Sequence, residues 1–373
     1  MKYLFVNSVA GIGSTGRIAA DKCRELQKDG HQCVIAYGRQ KANCEDIETW
    51  QIGTAWDYRM HGLRTRLFDQ HGFGSVKATK KFLQKVKEYD PDIIWLHNIH
   101  GYYINIELLF DYLKSCGKEI RWTLHDCWAF TGHCSYFTAA KCEQWKERCV
   151  NCPQLRCYPA CYTIGNISKN FERKKVAFTG VKNMFLITPS NWLANLVKQS
   201  FLNEYKVEVR YNTIDTNVFK PRPSGLREKH KLQDKFIVLG VASIWDERKG
   251  LQDFVKLSGM LDEHKYKIVI VGLSKKQIQV LPKSIIGLEA TESAKELAGI
   301  YTTSNVFVNP TYEDNYPTVN LEAQACGITV ITYDTGGSPE SVQIENVVSC
   351  GDVRTLYQRI VCVCEKETAK ITQ

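Results

Sequence analysis

At 373 residues the chain is too long for one ordinary core, and at roughly 100 to 200 residues per domain it should fold as two. With 44% hydrophobic and 24% charged residues and only 10 prolines, it is neither disordered nor fibrous, and no run reaches the roughly 20 apolar residues that span a bilayer. The formal net charge of +9 suits an anionic partner, whether phosphate, acidic lipid or nucleic acid, without choosing among them.

The opening MKYLFVNSVAGIGSTGRIAA has an apolar run broken by Asn7 and Ser8, so it reads as a first strand leading into a glycine turn and a helix, not as an export signal. Apolar strand-like runs then alternate with helical patterns: TGRIAADKCRELQKDG, CVIAY, DIIWLH, INIELLFDYLKSCG and IRWTLH. This is the signature of βαβ units and a parallel sheet. The alternation breaks over about 127–165, a cysteine-rich insert, and resumes with FLITPS, NWLANLVKQSFL and VEVRYN. After the charged, proline-containing segment DTNVFKPRPSGLREKHKLQD a second series begins, FIVLGVAS, YKIVIVG, SNVFVNP and ITVITYD. The expected architecture is α/β, two Rossmann-like doubly wound domains, 1–215 and 216–351, facing a central cleft, with a terminal helix 352–373 packing back on the first domain.

In the second series the strand VFVNP ends at Pro310, a loop TYEDNY follows, and Pro317 opens a helix that Gly327 closes. Asp314 in the loop and Glu322 on the helix can therefore point into one crevice, where ionised carboxylates would accept hydrogen bonds from sugar hydroxyls. The turn after FIVLGVAS carries Arg248 and Lys249, cations suited to a diphosphate whose negative charge grows as it departs. At the amino end GIGSTGR follows a strand and opens a helix, so Gly13 and Gly16 with Arg17 can cradle phosphate, although no acid follows CVIAYGRQ as a dinucleotide site requires. His125 ends RWTLH and so faces the cleft, with a structural role as the plainer alternative, while His97, which ends DIIWLH, and His100 are placed to meet an acceptor. Asp90-Pro91-Asp92 spells D-x-D but precedes its strand, on the edge away from any cleft.

In this order these features resemble glycosyltransferase family 4, retaining enzymes of the GT-B fold, over nearly the whole chain. The family's spacing of an acid, seven residues, Glu, Ala, three residues and Gly is met by Asp314, Glu322, Ala323 and Gly327. The resemblance makes 1–215 the acceptor side and 216–351 the nucleotide-sugar side. It implies that Asp314 contacts the donor sugar, with Glu313 one place out of register as its competitor. It further implies Glu322 on the ribose, Lys249 on the diphosphate, His125 on the sugar or its reacting face, and Gly336 and Gly337 in a donor-side turn. A usual Arg six residues before the Lys is replaced by Ser243, for which Arg248 is the substitute at hand.

The block HDCWAFTGHCSYF with KCEQWKERCVNCPQL resembles a bacterial subgroup that builds capsular and exopolysaccharide units on lipid carriers. Read from the residues, Cys134, Cys142, Cys149 and Cys152 offer four thiolates for structural zinc, with unconnected buried thiols as the plainer alternative and Cys157 and Cys161 as rival ligands. The implied function is transfer of a sugar from a UDP- or GDP-sugar to a hydroxyl acceptor such as a lipid-linked oligosaccharide, with no catalytic metal and no nucleic-acid partner. The 15 cysteines, an odd number, fit reduced thiols in the cytoplasm. Lysine runs in SVKATKKFLQKVKEY and KNFERKK suit peripheral contact with the inner membrane face or, more plainly, solvated helix faces. Two rivals stay open: an NAD(P)-dependent oxidoreductase or epimerase, from the glycine loop, and a noncatalytic nucleic-acid or zinc-binding protein, from charge and C-x-x-C.

Overall fold

Runs of branched and aromatic apolar residues are buried on both sides only within a parallel sheet covered by helices. The computed structural model, which describes residues 1–372, contains two such sheets, one in each of two units, Met1–Tyr211 and a second that begins at Asn212. The expected boundary at 216 lies just beyond this division.

In the first unit the chain runs through β1 (Lys2–Asn7), α1 (Gly13–Lys28), β2 (Gln32–Tyr37), β3 (Glu48–Gln51), α2 (Ala55–Phe68), α3 (Val76–Tyr89) and β4 (Ile93–Leu96). It continues with α4 (Ile106–Ser115), β5 (Glu119–Thr123), α5 (Ile167–Phe178), β6 (Met184–Thr188), α6 (Asn191–Lys198) and β7 (Val207–Val209). The strands pair in parallel in the order β3-β2-β1-β4-β5-β6-β7, so the order reverses between β1 and β4. Side chains alternate along each strand: Leu4 and Val6 join one buried cluster with Ile94 and Leu96, while Phe5 joins another with Ile35 and Ile93.

The second unit comprises α7 (Leu226–His230), β8 (Phe236–Val241), α8 (Leu251–Ser258), β9 (Tyr266–Val271), α9 (Lys275–Val280), β10 (Ile285–Leu288) and α10 (Ala294–Thr303). After these come β11 (Val306–Asn309), α11 (Thr318–Ala325), β12 (Thr329–Asp334), β13 (Val347–Ser349) and α12 (Val353–Thr372). Its parallel order is β10-β9-β8-β11-β12-β13, reversing between β8 and β11. Here Val238, Ile268 and Val306 share one cluster and Ile237, Leu239 and Phe307 the other. Helix α12 was expected to pack back on the first domain; its buried residues Leu356, Ile360 and Cys364 belong to the core of the second unit, against α8 and β12.

The insert at 127–165 lacks periodicity, yet its Trp128, Phe130, Phe137 and Trp145 are buried in the main core of the first unit. One residue of the basic run KNFERKK joins them. Lys174 is buried beneath the insert, where its Nζ donates to the carbonyls of Trp128 at 2.8 Å and Thr131 at 3.0 Å and lies 3.6 Å from the Trp128 ring centroid. Burial pulls this ammonium down to about 7. At the amino edge of β4, Asp92 accepts the Lys2 backbone N–H at 2.8 Å and Asp90 pairs with Lys118 at 2.7 Å.

Candidate active site

Because β8, β11 and β12 are neighbours, the loops that leave their carboxyl ends meet. After β8, Asp246 caps a short 3-10 turn, Glu247–Lys249, by accepting the Lys249 N–H. Gly250 then bends the chain at φ +72°, and a Cβ there would stand 2.1 Å from the carbonyl oxygen of Pro310 at the end of β11. Only glycine permits that approach, which is why Lys249 is delivered to the β11 loop. Its Nζ donates to Asp314 Oδ2 at 2.5 Å, while Asp314 Oδ1 accepts the Asn315 N–H at 3.0 Å. The third loop closes the arrangement from β12: Gly336, at φ +58°, lies so near that a Cβ would come within 1.8 Å of the Asp314 carbonyl oxygen. Gly337 follows and begins the 3-10 turn Ser338–Ser341.

Arg248 strengthens the same corner. Its Nη1 donates to the Glu313 carbonyl at 3.0 Å, and its own carbonyl accepts the Tyr312 N–H at 2.7 Å. Burial pushes the Asp314 carboxyl up, but the charges of Lys249 and Arg248 outweigh it and hold the group below its usual range. Glu313 is buried and offers Arg248 its backbone. Pro317 caps α11, and Glu322 on that helix is buried, accepting a hydrogen bond from Tyr301 Oη at 3.3 Å. Ser243 is exposed on the β8 loop.

Residues that the motifs did not single out support this corner. Asp253, on α8 and buried, accepts hydroxyls from Tyr312 at 2.7 Å and Tyr333 at 2.9 Å on one oxygen and Lys256 Nζ at 2.9 Å on the other. Thr335 Oγ1 donates to the Tyr312 carbonyl at 2.8 Å. Asn309, Asn320 and Ser341 form a chain of bonds at 2.9 and 2.8 Å that ties β11 to α11 and to the turn after β12. A lone aspartate and scattered tyrosines carry no spacing signal; only the sheet order assembles them.

In the first unit the carboxyl edge of β1, β4 and β5 gathers the glycine loop and the histidines. Gly11 at φ +69° would place a Cβ 2.2 Å from the Asn43 carbonyl oxygen, and its N–H donates to the Gly16 carbonyl at 3.1 Å. Gly13 begins α1, and Arg17 is exposed one turn on. Adjacent strands β4 and β5 bring His97 Nδ1 within 2.9 Å of His125 Nε2, with the rings stacked at 5.2 Å. Burial lowers His125 to about 4 and His97 well below its ordinary value, so both imidazoles are neutral near pH 7 and each keeps one donor and one acceptor nitrogen. His100 Nε2 is 2.9 Å from Asp126 Oδ2. Burial raises that carboxyl, but His100 and the Trp128 N–H at 2.9 Å hold it below the usual range.

The four cysteines expected to hold zinc, Cys134, Cys142, Cys149 and Cys152, do line one narrow cavity of about 10 Å³ beside Trp145 and Ile167. Among the described residues no group of three His, Cys, Asp or Glu side chains is disposed to hold an ion, and no zinc site is shown. The four are free thiols, with Cys134 raised by its hydrogen bond to Cys152 and by burial, and Cys149 pushed by burial to about 11. The same hydrogen bond lowers Cys152 to about 6, so the Cys134–Cys152 pair shares one proton unequally.

Comparison with known proteins falls on this frame. Residues 235–366 match the family model for glycosyl transferases group 1. The putative colanic acid biosynthesis glycosyl transferase WcaC of Escherichia coli is 25% identical over 170 residues, covering 43% of this chain and only 41% of that relative's length. Among solved structures, sucrose-phosphate synthase from Thermosynechococcus elongatus superposes with a TM-score of 0.72 at 15% identity, over 98% of this chain and 90% of that one. Anabaena HepE in complex with UDP-glucose gives 0.67 at 14% identity, over 99% and 91%. The unit that holds Lys249, Asp314 and Glu322 thus carries the group 1 glycosyl transferase match, and each unit has the Rossmann-like α/β fold found in solved GT-B glycosyltransferases.

Proposed function

We propose that the protein is a retaining glycosyltransferase that moves a sugar from a UDP- or GDP-sugar to a hydroxyl acceptor in bacterial polysaccharide assembly, the acceptor being a lipid-linked oligosaccharide. The observation that carries the reading is the Lys249–Asp314 pair, held between two glycines, Gly250 and Gly336, whose backbone approaches admit no side chain. The match to group 1 glycosyl transferases and the colanic acid relative support the polysaccharide setting, and the UDP-glucose complex of Anabaena HepE supports the donor class.

In this reading Lys249 and Arg248 hold the donor diphosphate and neutralise the charge that grows on it as the sugar departs. Asp314 accepts hydrogen bonds from the sugar hydroxyls, Glu322 from the ribose, and the N–H groups around Gly336 and Gly337 complete the turn. The departing phosphate takes the acceptor's proton on the same face, so the protein contributes position and electrostatics, and the cationic side chains do what a metal would otherwise do. The first unit takes the acceptor, with His97, His100 and His125 at its strand ends.

Calorimetric titration tests the donor assignment. UDP or GDP should bind the wild type and lose at least tenfold in affinity in Lys249→Ala, since a charge-assisted contact contributes about 1.5–3 kcal/mol. Equal affinity in the two proteins would contradict it. Retention of the anomeric configuration in the product, read by NMR, tests the stereochemistry.

A further inference from the structure

Helix α2 buries a polar face and exposes an apolar one. Its inward residues are His61, Gly62 and Thr65. At about 100° per residue the opposite side carries Trp56, Met60, Leu63 and Leu67, spaced i, i+4, i+7 and i+11. Three of these are open to solvent, Trp56 at 67%, Leu63 at 45% and Leu67 at 38%, and Phe68 ends the helix at 53%. A second segment extends the patch: the Tyr162 N–H donates to the Arg66 carbonyl at 2.8 Å, and Asn166 Nδ2 to the Phe68 carbonyl at 2.7 Å. Between them Ile164 is 88% exposed. Exposed apolar side chains gathered on one face in this way mark an interaction surface.

The charges around the patch say what the partner is. Arg59 and Arg66 flank the apolar stripe on one side and Arg64 on the other, all exposed. The one acid of α2, Asp57, is engaged at the helix start, where it accepts from the Thr54 N–H at 2.9 Å. Two copies of this face would set arginines against arginines, which opposes self-association. A stripe of Trp and Leu edged by arginines is instead what a surface of acidic lipid headgroups over acyl chains accepts.

We propose that α2, with the 162–166 segment beside it, is an interfacial helix that lies in an anionic membrane surface with its Trp56–Leu67 stripe in the headgroup and acyl boundary. The lysine runs of α3 and α5 are not its basis, and Lys174 of the second is buried. The proposal does not depend on sugar transfer, because its readout is lipid binding alone.

The test is cosedimentation of the full chain with phosphatidylglycerol-containing vesicles and with pure phosphatidylcholine vesicles at low salt. The wild type should bind the anionic vesicles and release them as salt rises. Leu63→Ser/Leu67→Ser should lower the partition at least about tenfold, and Arg64→Ala/Arg66→Ala about twenty-fivefold, near fivefold for each charge removed. Both pairs are exposed, so far-ultraviolet circular dichroism should match the wild type. Absence of binding to anionic vesicles, equal binding to both vesicle types, or variants that bind like the wild type would each overturn the proposal. So would a dimer in ultracentrifugation that Leu63→Ser/Leu67→Ser dissolves while vesicles bind nothing, since the face would then belong to a second copy.

Discussion

Replacing Gly250 with alanine should disable the protein through one methyl group. At φ +72° an L-residue already costs roughly 1–2 kcal/mol. The larger effect is steric: the new Cβ would meet the Pro310 carbonyl oxygen at 2.1 Å, and that oxygen is part of the main chain. Carbon–oxygen contacts settle near about 3.3 Å, so the β8 loop must retreat by about 1 Å. Lys249 moves with its neighbour, and a displacement of about 1 Å at a positioning group can cost about a hundredfold in rate. Donor hydrolysis and urea denaturation measure the two parts separately. Gly30→Ala is the control, because Gly30 has φ +81° and nothing within 4 Å of a built Cβ. It should lose about 1 kcal/mol of stability and no turnover. Gly250→Ala turnover within about threefold of the wild type would refute the steric argument.

Acidification should weaken the first unit through His61, whose Nε2 accepts the Gly72 and Gly74 N–H groups at 3.2 Å and which burial lowers from 6.5 to about 4. A histidine held neutral in the fold contributes stability that is fully present above pH 6.5 and is lost as pH falls towards 4, at about 1.4 kcal/mol per pH unit. Urea denaturation at pH 7 and pH 5 should show the loss, and His61→Gln should reduce it by one histidine's share, since His71, His97 and His125 are lowered by burial too; an unchanged slope would remove His61 from the account. Asp253→Ala strands two tyrosine hydroxyls beneath the β11 loop and should destabilise the second unit by about 2–4 kcal/mol, read by denaturation. Tyr301→Phe removes one donor to Glu322 and should raise the donor KM several-fold with little change in kcat. A fall in kcat alone would contradict the placing of Glu322 on the bound nucleotide.

The two doubly wound sheets were legible because apolar runs between helical patterns have one economical solution, and Pro317 and Gly327 marked α11 for the same local reasons that terminate any helix. Register alone favoured Asp314 over Glu313, and the structure gives Asp314 the Lys249 ammonium. What stayed hidden depends on strand order. His97 meets His125 because β4 and β5 are adjacent, and Asp253 reaches Tyr312 and Tyr333 across three elements, neither of which is a sequence pattern. Helix α2 misleads a reading by periodicity, because its buried face is His, Gly and Thr while its apolar stripe lies outward. The cysteine spacing suggested ligands, but spacing does not show whether buried thiols converge or merely line the same cavity.

The central claim is that the Lys249–Asp314 corner and Glu322 hold a nucleotide sugar. Its most direct measurement is slow hydrolysis of a panel of UDP- and GDP-sugars without acceptor, by the wild type, Lys249→Ala and Glu322→Ala. One donor should be turned over by the wild type and by neither variant, with circular dichroism unchanged in both. Full activity in either variant at saturating donor would contradict the account.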